Sequence, residues 1–563
     1  MVTDAPAPQL LTGTPVVPGT ALGPVLVVAR DLDPAAVAAY GSGPADPAEA
    51  LADYDAAVAL VAGGFEAKAA RASGAAAEVL TASAGLVRDR GLRGAVRKRL
   101  TAGEPALDAL RGAVAQFVTA FTDMGGLMAE RATDLLDIEQ RLRARLVGQP
   151  EPGVPAPEVP SILVAEDLAP ADTAGLDPAR VLGLVTERGG KTSHTAIIAR
   201  QLGIPCVVGV AGALGVPTGT LALVVGERGE LELHPDPADA AARVEASAQE
   251  RARLAAWSGP GVTADGVAVR LVANVADAAS AAEAAAGPAE GVGLFRTELC
   301  FLNRQTEPTV AEQTDIYADV LAAAPAGEGA YVVVRTLDAG SDKPIAFATH
   351  AGEENPALGV RGLRLSFDDP GLLERQLDAV AAAARRTAVP TWVMAPMVAT
   401  VAEARDFAAA VHARGLKAGA MVEVPAAALL AHRLLEVVDF LSLGTNDLTQ
   451  YTMAADRMAT DLAHLTDPWQ PAVLQLIAIT AEAGRQARKP VGVCGEAAAD
   501  PLLACVLVGL GITSLSMATA AIRPVGARLA ATTLAQCEEA AEAALAADDP
   551  AAARAAVAAV LAG

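Results

Sequence analysis

Residues 418–447, AGAMVEVPAAALLAHRLLEVVDFLSLGTND, contain the unit that decides the fold. Two short apolar runs, 418–423 and 440–445, flank an Ala- and Leu-rich stretch long enough for a helix. Each run ends on residues able to do chemistry: Glu423 on the first, Asn446 and Asp447 just past the second. A strand covered on both faces reads as a continuous apolar run, and strands alternating with helices point to a parallel sheet. Outward from this unit the same rhythm recurs at 269–274, 291–297, 331–337, 391–397, 490–494 and 513–517. Eight strand–helix units over about 260 residues fit a closed (β/α)8 barrel, a TIM barrel. Such barrels place their active sites at the C-terminal mouth. The polar residues at the other strand ends therefore join the candidate site: Asn274, Arg296, Glu298, Arg335, Asp338, Cys494 and Glu496.

Upstream the pattern changes twice. Val16–Ala29 reads as glycine- and proline-punctuated strands, and from about Asp33 the chain turns to Ala, Leu and charged residues. Leu51, Tyr54, Val58, Val61 and Phe65 recur at helical spacing, as do Leu135, Ile138, Leu142 and Leu146. A helical bundle over 33–147 follows, closed by the proline-rich joint Gln149–Pro155, which cannot continue a helix. Short apolar runs then return at 161–165, 181–186, 206–208 and 221–225, as in a small α/β domain. The expected division is an α/β domain of residues 1–32 and 148–235 with the bundle 33–147 inserted, a linker helix 236–258, and the barrel with C-terminal helices over 259–563.

The 563 residues carry 43 Lys and Arg against 66 Asp and Glu, a formal net charge of −23. A chain so acidic repels a phosphate backbone and shows no basic patch, so no nucleic-acid role is expected. Apolar residues make up 52% and aromatic ones 3%, so large cores must be built from Ala, Val and Leu. Five widely spaced cysteines argue against a disulfide framework. Two uncharged stretches, Ile204–Gly226 and Pro501–Ile522, are interrupted by prolines or glycines and read as buried elements, with no membrane insertion. The expectation is a cytoplasmic protein.

The segment GGKTSHTAIIAR (189–200) follows the run ending at Thr186. Two glycines permit a tight turn, and Thr192, Ser193 or Thr195 can cap a helix, which sets His194 at the helix start. Free N–H groups and the helix dipole there favour an anion and disfavour an imidazolium, so His194 is expected to be a neutral nucleophile able to carry a phosphoryl group. Gly190-Lys191-Thr192 imitates the end of a P-loop, but Val185 stands where that motif needs glycine. At the barrel mouth Arg296 and Arg335 can fork onto phosphate and carboxylate oxygens. The pair Glu423 and Asp447 suits Mg2+ with substrate oxygens, and Asn446 and Arg457 add donors. Cys494 is placed to exchange a proton with a carbon centre.

These segments, with EGVGLFRTE (290–298), VVVRTLDAGSDK (332–343), ENPALGVRGLR (354–364), DFLSLGTNDLTQYTMAADR (439–457) and VGVCGE (491–496), resemble enzyme I of the bacterial phosphoenolpyruvate-dependent sugar phosphotransferase system. The resemblance runs over nearly the whole chain. It implies a swivelling phosphohistidine α/β domain, with the inserted helical bundle docking the phosphocarrier protein HPr, and a phosphoenolpyruvate-binding barrel that forms a homodimer. It further implies that His194 accepts the phosphoryl group and that Arg296, Arg335, Asn446, Asp447 and Arg457 bind phosphoenolpyruvate. Glu423 and Asp447 would hold Mg2+, and Cys494 would protonate the enolate to pyruvate. Two departures stand out. Ser341 replaces a usual glycine before Asp342-Lys343, and Ala77–Leu86 lacks the histidine common in the docking region.

A dikinase or phosphoenolpyruvate synthase would need a nucleotide-grasping domain, for which the fewer than 190 residues before Gly189, mostly helical insert, leave no room. A catalytically silent regulatory paralogue would not need the full set of His194, two arginines, two acids and Cys494.

Overall fold

A computed structural model describes residues 8–562, apart from 29–31, 33, 42, 45, 71–74, 125, 150, 152–156, 158, 169–175, 191–192, 302–303, 340–344, 350–351, 458, 460–461 and 463. Ser341 and its loop therefore lie outside the described residues, as do Lys191 and Thr192 and the side chains of residues 77–79 and His194. The chain forms two compact units, Met1–Ala252 and Arg253–Gly563. The division falls within the helix Pro237–Ala256.

In the first unit an eight-stranded sheet runs in the order β1-β8-β7-β3-β4-β5-β6-β2. Its strands are β1 (Gln9–Thr12), β2 (Thr14–Val17), β3 (Thr20–Val27), β4 (Ser161–Ala165), β5 (Val181–Thr186), β6 (Cys206–Val208), β7 (Leu221–Val225) and β8 (Glu230–Leu233). The β3-β4-β5-β6 run is parallel, and the pairings around it are antiparallel. β4 and β6 are buried at every position, which is why they read as unbroken apolar runs. Between β3 and β4 the chain makes a set of helices, the longest being Pro47–Ala69, Ala106–Met124 and Gly126–Leu146. Tyr54, Val61 and Phe65 interlock with Leu135, Ile138 and Leu142 in one buried cluster. The buried Arg141 pairs with Asp137 at 2.7 Å and lies over the Phe65 ring, so its charge is both neutralised and covered.

The second unit is a closed parallel barrel, β9 (Arg270–Val275), β10 (Val292–Arg296), β11 (Val332–Arg335), β12 (Thr391–Ala395), β13 (Lys417–Val422), β14 (Phe440–Leu443), β15 (Val491–Val493) and β16 (Ser514–Met517), with β16 pairing back onto β9. Every strand expected from the apolar rhythm is present, each within a few residues of its expected ends. Two cores hold it. Outward-facing Val, Leu and Ala of the strands meet the helices in one large cluster, while Leu294, Val333, Met394, Met421, Phe440 and Cys494 fill the barrel interior. Ala-rich helices suffice on the outside because small side chains let a helix sit close to the sheet. The stretch Pro501–Ile522 becomes the helix Pro501–Gly509, then β16 and the start of another helix, and Ile204–Gly226 becomes β6 and β7. Among the described residues no helix is long and apolar enough to cross a membrane.

Candidate active site

In the first unit the turn after β5 is built as its letters suggest. Gly189 has φ +97°, a conformation side chains resist, and it lets the chain reverse within three residues of Thr186. Ser193 caps the helix His194–Leu202, its hydroxyl accepting from the Ala196 N–H at 3.3 Å, and Gly203 closes the helix in the left-handed region. His194 is thus the first helical residue, where N–H groups have no partner within the helix. Thr195 anchors the turn from the side: its hydroxyl donates to Asp167 at 2.9 Å and accepts the Leu168 N–H at 3.2 Å. Of the three hydroxyl residues expected to serve as caps, Ser193 does so and Thr195 is a buried tether.

In the second unit the C-terminal ends of the strands bring seven of the expected residues to one mouth. Arg296 and Arg335 end neighbouring strands in register. Glu423 follows β13, Asn446 and Asp447 open the helix Thr445–Met453 after β14, Arg457 lies past that helix, and Cys494 follows β15. Arg335 is buried and committed: one of its Nη atoms lies 2.6 Å from Glu298 and 3.2 Å from Asp338. Burial opposes its charge, yet Glu298, Asp338 and Glu423 outweigh that and hold the guanidinium above its ordinary value. Arg296 is half-buried, and among the described residues its side chain makes no hydrogen bond or ion pair, which leaves its fork available to a ligand's oxygens.

Arg361 is the centre of the network, and it was not singled out in the sequence. Only 2% exposed, it forks onto Asp338 at 3.0, 3.1 and 3.3 Å and reaches Asp447 at 3.1 Å and the Tyr451 hydroxyl at 3.3 Å. Asp447 also faces Arg457 at 3.5 Å, and the Arg457 N–H donates to Gln450. No local pattern marks Arg361, since its segment forms only a 3-10 turn, Gly362–Arg364, and irregular chain. The one available signal is an arginine in a glycine-rich stretch between two barrel strands. Glu298 and Asp338, noted only as strand-end residues, turn out to be fully buried counter-charges for the two arginines.

Glu423 is 1% exposed and accepts the Met397 N–H at 2.6 Å. Met397 sits at φ +58°, so a strained backbone, costing about 1–3 kcal/mol, aims that donor at the carboxylate. Burial first, and then the charges of Asp447 and Asp338, push Glu423 well above the usual carboxylate range in spite of Arg335 and Arg361. Glu423 and Asp447 offer hard carboxylate oxygens, the donors that fit Mg2+. Among the described residues no group of three or more His, Cys, Asp or Glu side chains could hold a metal unaided. The ion would take two carboxylates and complete its shell with water and substrate oxygens, as Mg2+ commonly does.

Cys494 is 3% exposed and its thiol donates to the Leu443 carbonyl at 3.4 Å. Burial pushes the thiol above its ordinary value, against a hydrogen bond from Ser442 and the charges of Arg335 and Arg296, so it stays protonated at neutral pH. Such a group is a proton donor, not a nucleophile. The neighbouring loop is fitted around it: the Asn446 side-chain Oδ1 accepts the Glu496 N–H at 3.1 Å, and the Asn274 side-chain amide donates to the Cys494 backbone carbonyl at 3.2 Å.

Three family models match the chain in succession: the PEP-utilising enzyme N-terminal region over 12–131, the mobile domain over 157–229 and the PEP-binding domain over 251–534. The chain is 51% identical over 510 residues to a phosphoenolpyruvate-protein phosphotransferase of Streptomyces coelicolor, covering 90% of this chain and 91% of that one. It is 41% identical over 488 residues to one of Haloferax volcanii, covering 84% and 85%, and 38% identical over 435 residues to one of Bacillus subtilis, covering 74% and 75%. Matches of this identity along most of both chains, together with a closed barrel whose mouth gathers arginines, acids and a protonated thiol, have one reading: the chain belongs to the phosphoenolpyruvate-protein phosphotransferase family, transferases among the PEP-utilising enzymes.

Proposed function

We propose that this protein moves the phosphoryl group of phosphoenolpyruvate onto His194 and then onto a histidine of the phosphocarrier protein HPr, releasing pyruvate as the first step of sugar uptake by the phosphotransferase system. The observation that carries this reading is the buried, protonated Cys494 thiol in the same mouth as the unpaired Arg296 fork. Phosphoryl departure breaks the P–O bond of the substrate and leaves an enolate. A proton delivered to its terminal carbon turns it into a ketone and makes the transfer hard to reverse.

The chain's own groups have distinct parts. Arg296 takes phosphate or carboxylate oxygens directly, and Arg335, Arg361 and Arg457 surround the site with positive charge, fixed in place by Glu298, Asp338 and Asp447. Asn446 and the Gly495 turn shape the wall beside the thiol. Bound Mg2+, held by Glu423 and Asp447, would draw charge from the departing phosphoryl oxygens. In the first unit, the helix start at His194 has the N–H groups and dipole end that favour an anion such as the phosphorylated ring. The bundle inserted between β3 and β4 is the proposed dock for the carrier, and the barrel the proposed homodimer surface.

The test is a reconstituted transfer. Labelled phosphoenolpyruvate, Mg2+, the full chain and purified HPr should give phosphorylated HPr and pyruvate in equal amounts. Neither product, or pyruvate without phosphorylated carrier, would refute the assignment.

A further inference from the structure

Below Cys494 the barrel interior is incompletely filled. A cavity of about 20 Å3 is bounded by Ser442 and Ser516 within the barrel and by Ser514, Tyr331, Trp392 and Pro490 near the N-terminal ends of the strands. A space of about 10–15 Å3 already holds one water, provided polar partners line it. Here the partners are hydroxyls. Ser442, itself 7% exposed, lies opposite Gly492 on the neighbouring strand, two positions before Cys494, and its hydroxyl acts to lower the thiol's pKa; Ser514 lines the cavity beside the half-buried Tyr331. Ser516 is committed elsewhere, donating to Asn274 at 2.6 Å. On its barrel side the thiol packs against Leu294, Val333, Met394, Met421 and Phe440, while Arg335, Glu423 and Arg296 act on it from the mouth.

This arrangement answers a question that the proposed chemistry raises. Each turnover in which Cys494 protonates an enolate leaves a thiolate, which must regain a proton before the next. A substrate in the mouth blocks that side, and the apolar residues have no proton to give.

We propose that Ser442 is the relay through which Cys494 is reprotonated, with the proton reaching it through a water in the barrel cavity from the N-terminal side. The proposal rests on the reading of Cys494 as the enolate's proton donor. In the step itself the thiolate takes the Ser442 O–H proton while the Ser442 oxygen takes one from the cavity water. That water is restored from bulk solvent, so one solvent proton is consumed per pyruvate and no other reactant is needed.

The experiment follows pyruvate from the full chain by rapid quench, with phosphoenolpyruvate, Mg2+ and excess HPr. Ser442→Ala should release the first pyruvate per chain at the parental rate, because the stored thiol proton is spent once. Later turnovers should be slower by about tenfold or more. Ser442→Thr keeps the hydroxyl and should remove the lag between first and later turnovers. First and later turnovers slowed equally in Ser442→Ala would show that the hydroxyl only orients the thiol, and unchanged turnover would show another route for the proton. Either result overturns the relay. Cys494→Ala separates the layers: undiminished pyruvate formation there would remove the underlying reading as well.

Discussion

Replacing Arg361 by methionine (Arg361→Met) keeps a long side chain and removes the positive charge that Asp338 and Asp447 share. Three contacts of 3.0, 3.1 and 3.3 Å to Asp338 and one of 3.1 Å to Asp447 disappear together. Removing one partner of a buried ion pair costs about 3–5 kcal/mol. Asp338 keeps Arg335 at 3.2 Å and Asp447 keeps Arg457 at 3.5 Å, so this case belongs at the lower end, ~3 kcal/mol. At ~2 °C per kcal/mol for a large unit, the melting transition of the barrel should fall by roughly 6 °C. The pH dependence has a definite sign. Burial, Asp447 and Asp338 already raise the Glu423 carboxyl, and loss of the Arg361 charge that opposes them raises it further. The penalty of such a group is full above its folded value and fades as pH falls toward the unfolded range near ~4. The gap between parent and variant, measured by circular dichroism melts, should be widest above pH ~7.5 and narrow toward pH ~5. A shift under 1 °C, or a gap independent of pH, would refute the claim that Arg361 neutralises these two acids.

Three further outcomes follow from the same geometry. Because burial raises the Cys494 thiol, pyruvate formation should hold steady through the usual cysteine range near ~8.5 and decline only above it; a decline beginning at pH 7 would mean the thiol is already ionising. Gly495→Ala would set a Cβ 1.9 Å from the Thr445 hydroxyl and 2.8 Å from its backbone nitrogen, so the turn bearing Asn446 and Asp447 must move. The KM for phosphoenolpyruvate should rise tenfold or more, on the scale by which supporting shells act, beyond what a modest drop in melting temperature explains; an unchanged KM contradicts it. Glu423→Gln should weaken the apparent Mg2+ requirement constant by about 100-fold in a metal titration of activity, and an unaltered titration would place the ion elsewhere.

The barrel was legible because its strands are covered on both faces and so appear as apolar runs between Ala-rich helices. The strands β4, β5, β6 and β7 could be read for the same reason. β8, Glu230–Leu233, escaped because its sequence ELEL alternates two acids with two leucines, a half-exposed strand too short to stand out. β1 is short and mostly exposed, and it owes its existence to pairing with β8. At the mouth, residues immediately following a strand were recognisable by position. Arg361 was not, because it stands at no strand end, and its role depends on Asp338 and Asp447, which lie 23 and 86 positions away in sequence. The same holds for Ser442. One residue inside a strand reads as filler until the barrel closes and sets it beside Cys494.

Whether His194 carries the phosphoryl group is tested most directly by intact-mass measurement with site mapping. After exposure to phosphoenolpyruvate and Mg2+, the full chain should gain one phosphoryl group per molecule. The bond should be stable in alkali and lost in acid, the modified peptide should contain His194, and His194→Ala should gain nothing while still binding phosphoenolpyruvate. A chain that gains no mass, or one that is modified equally well after His194→Ala, contradicts the account.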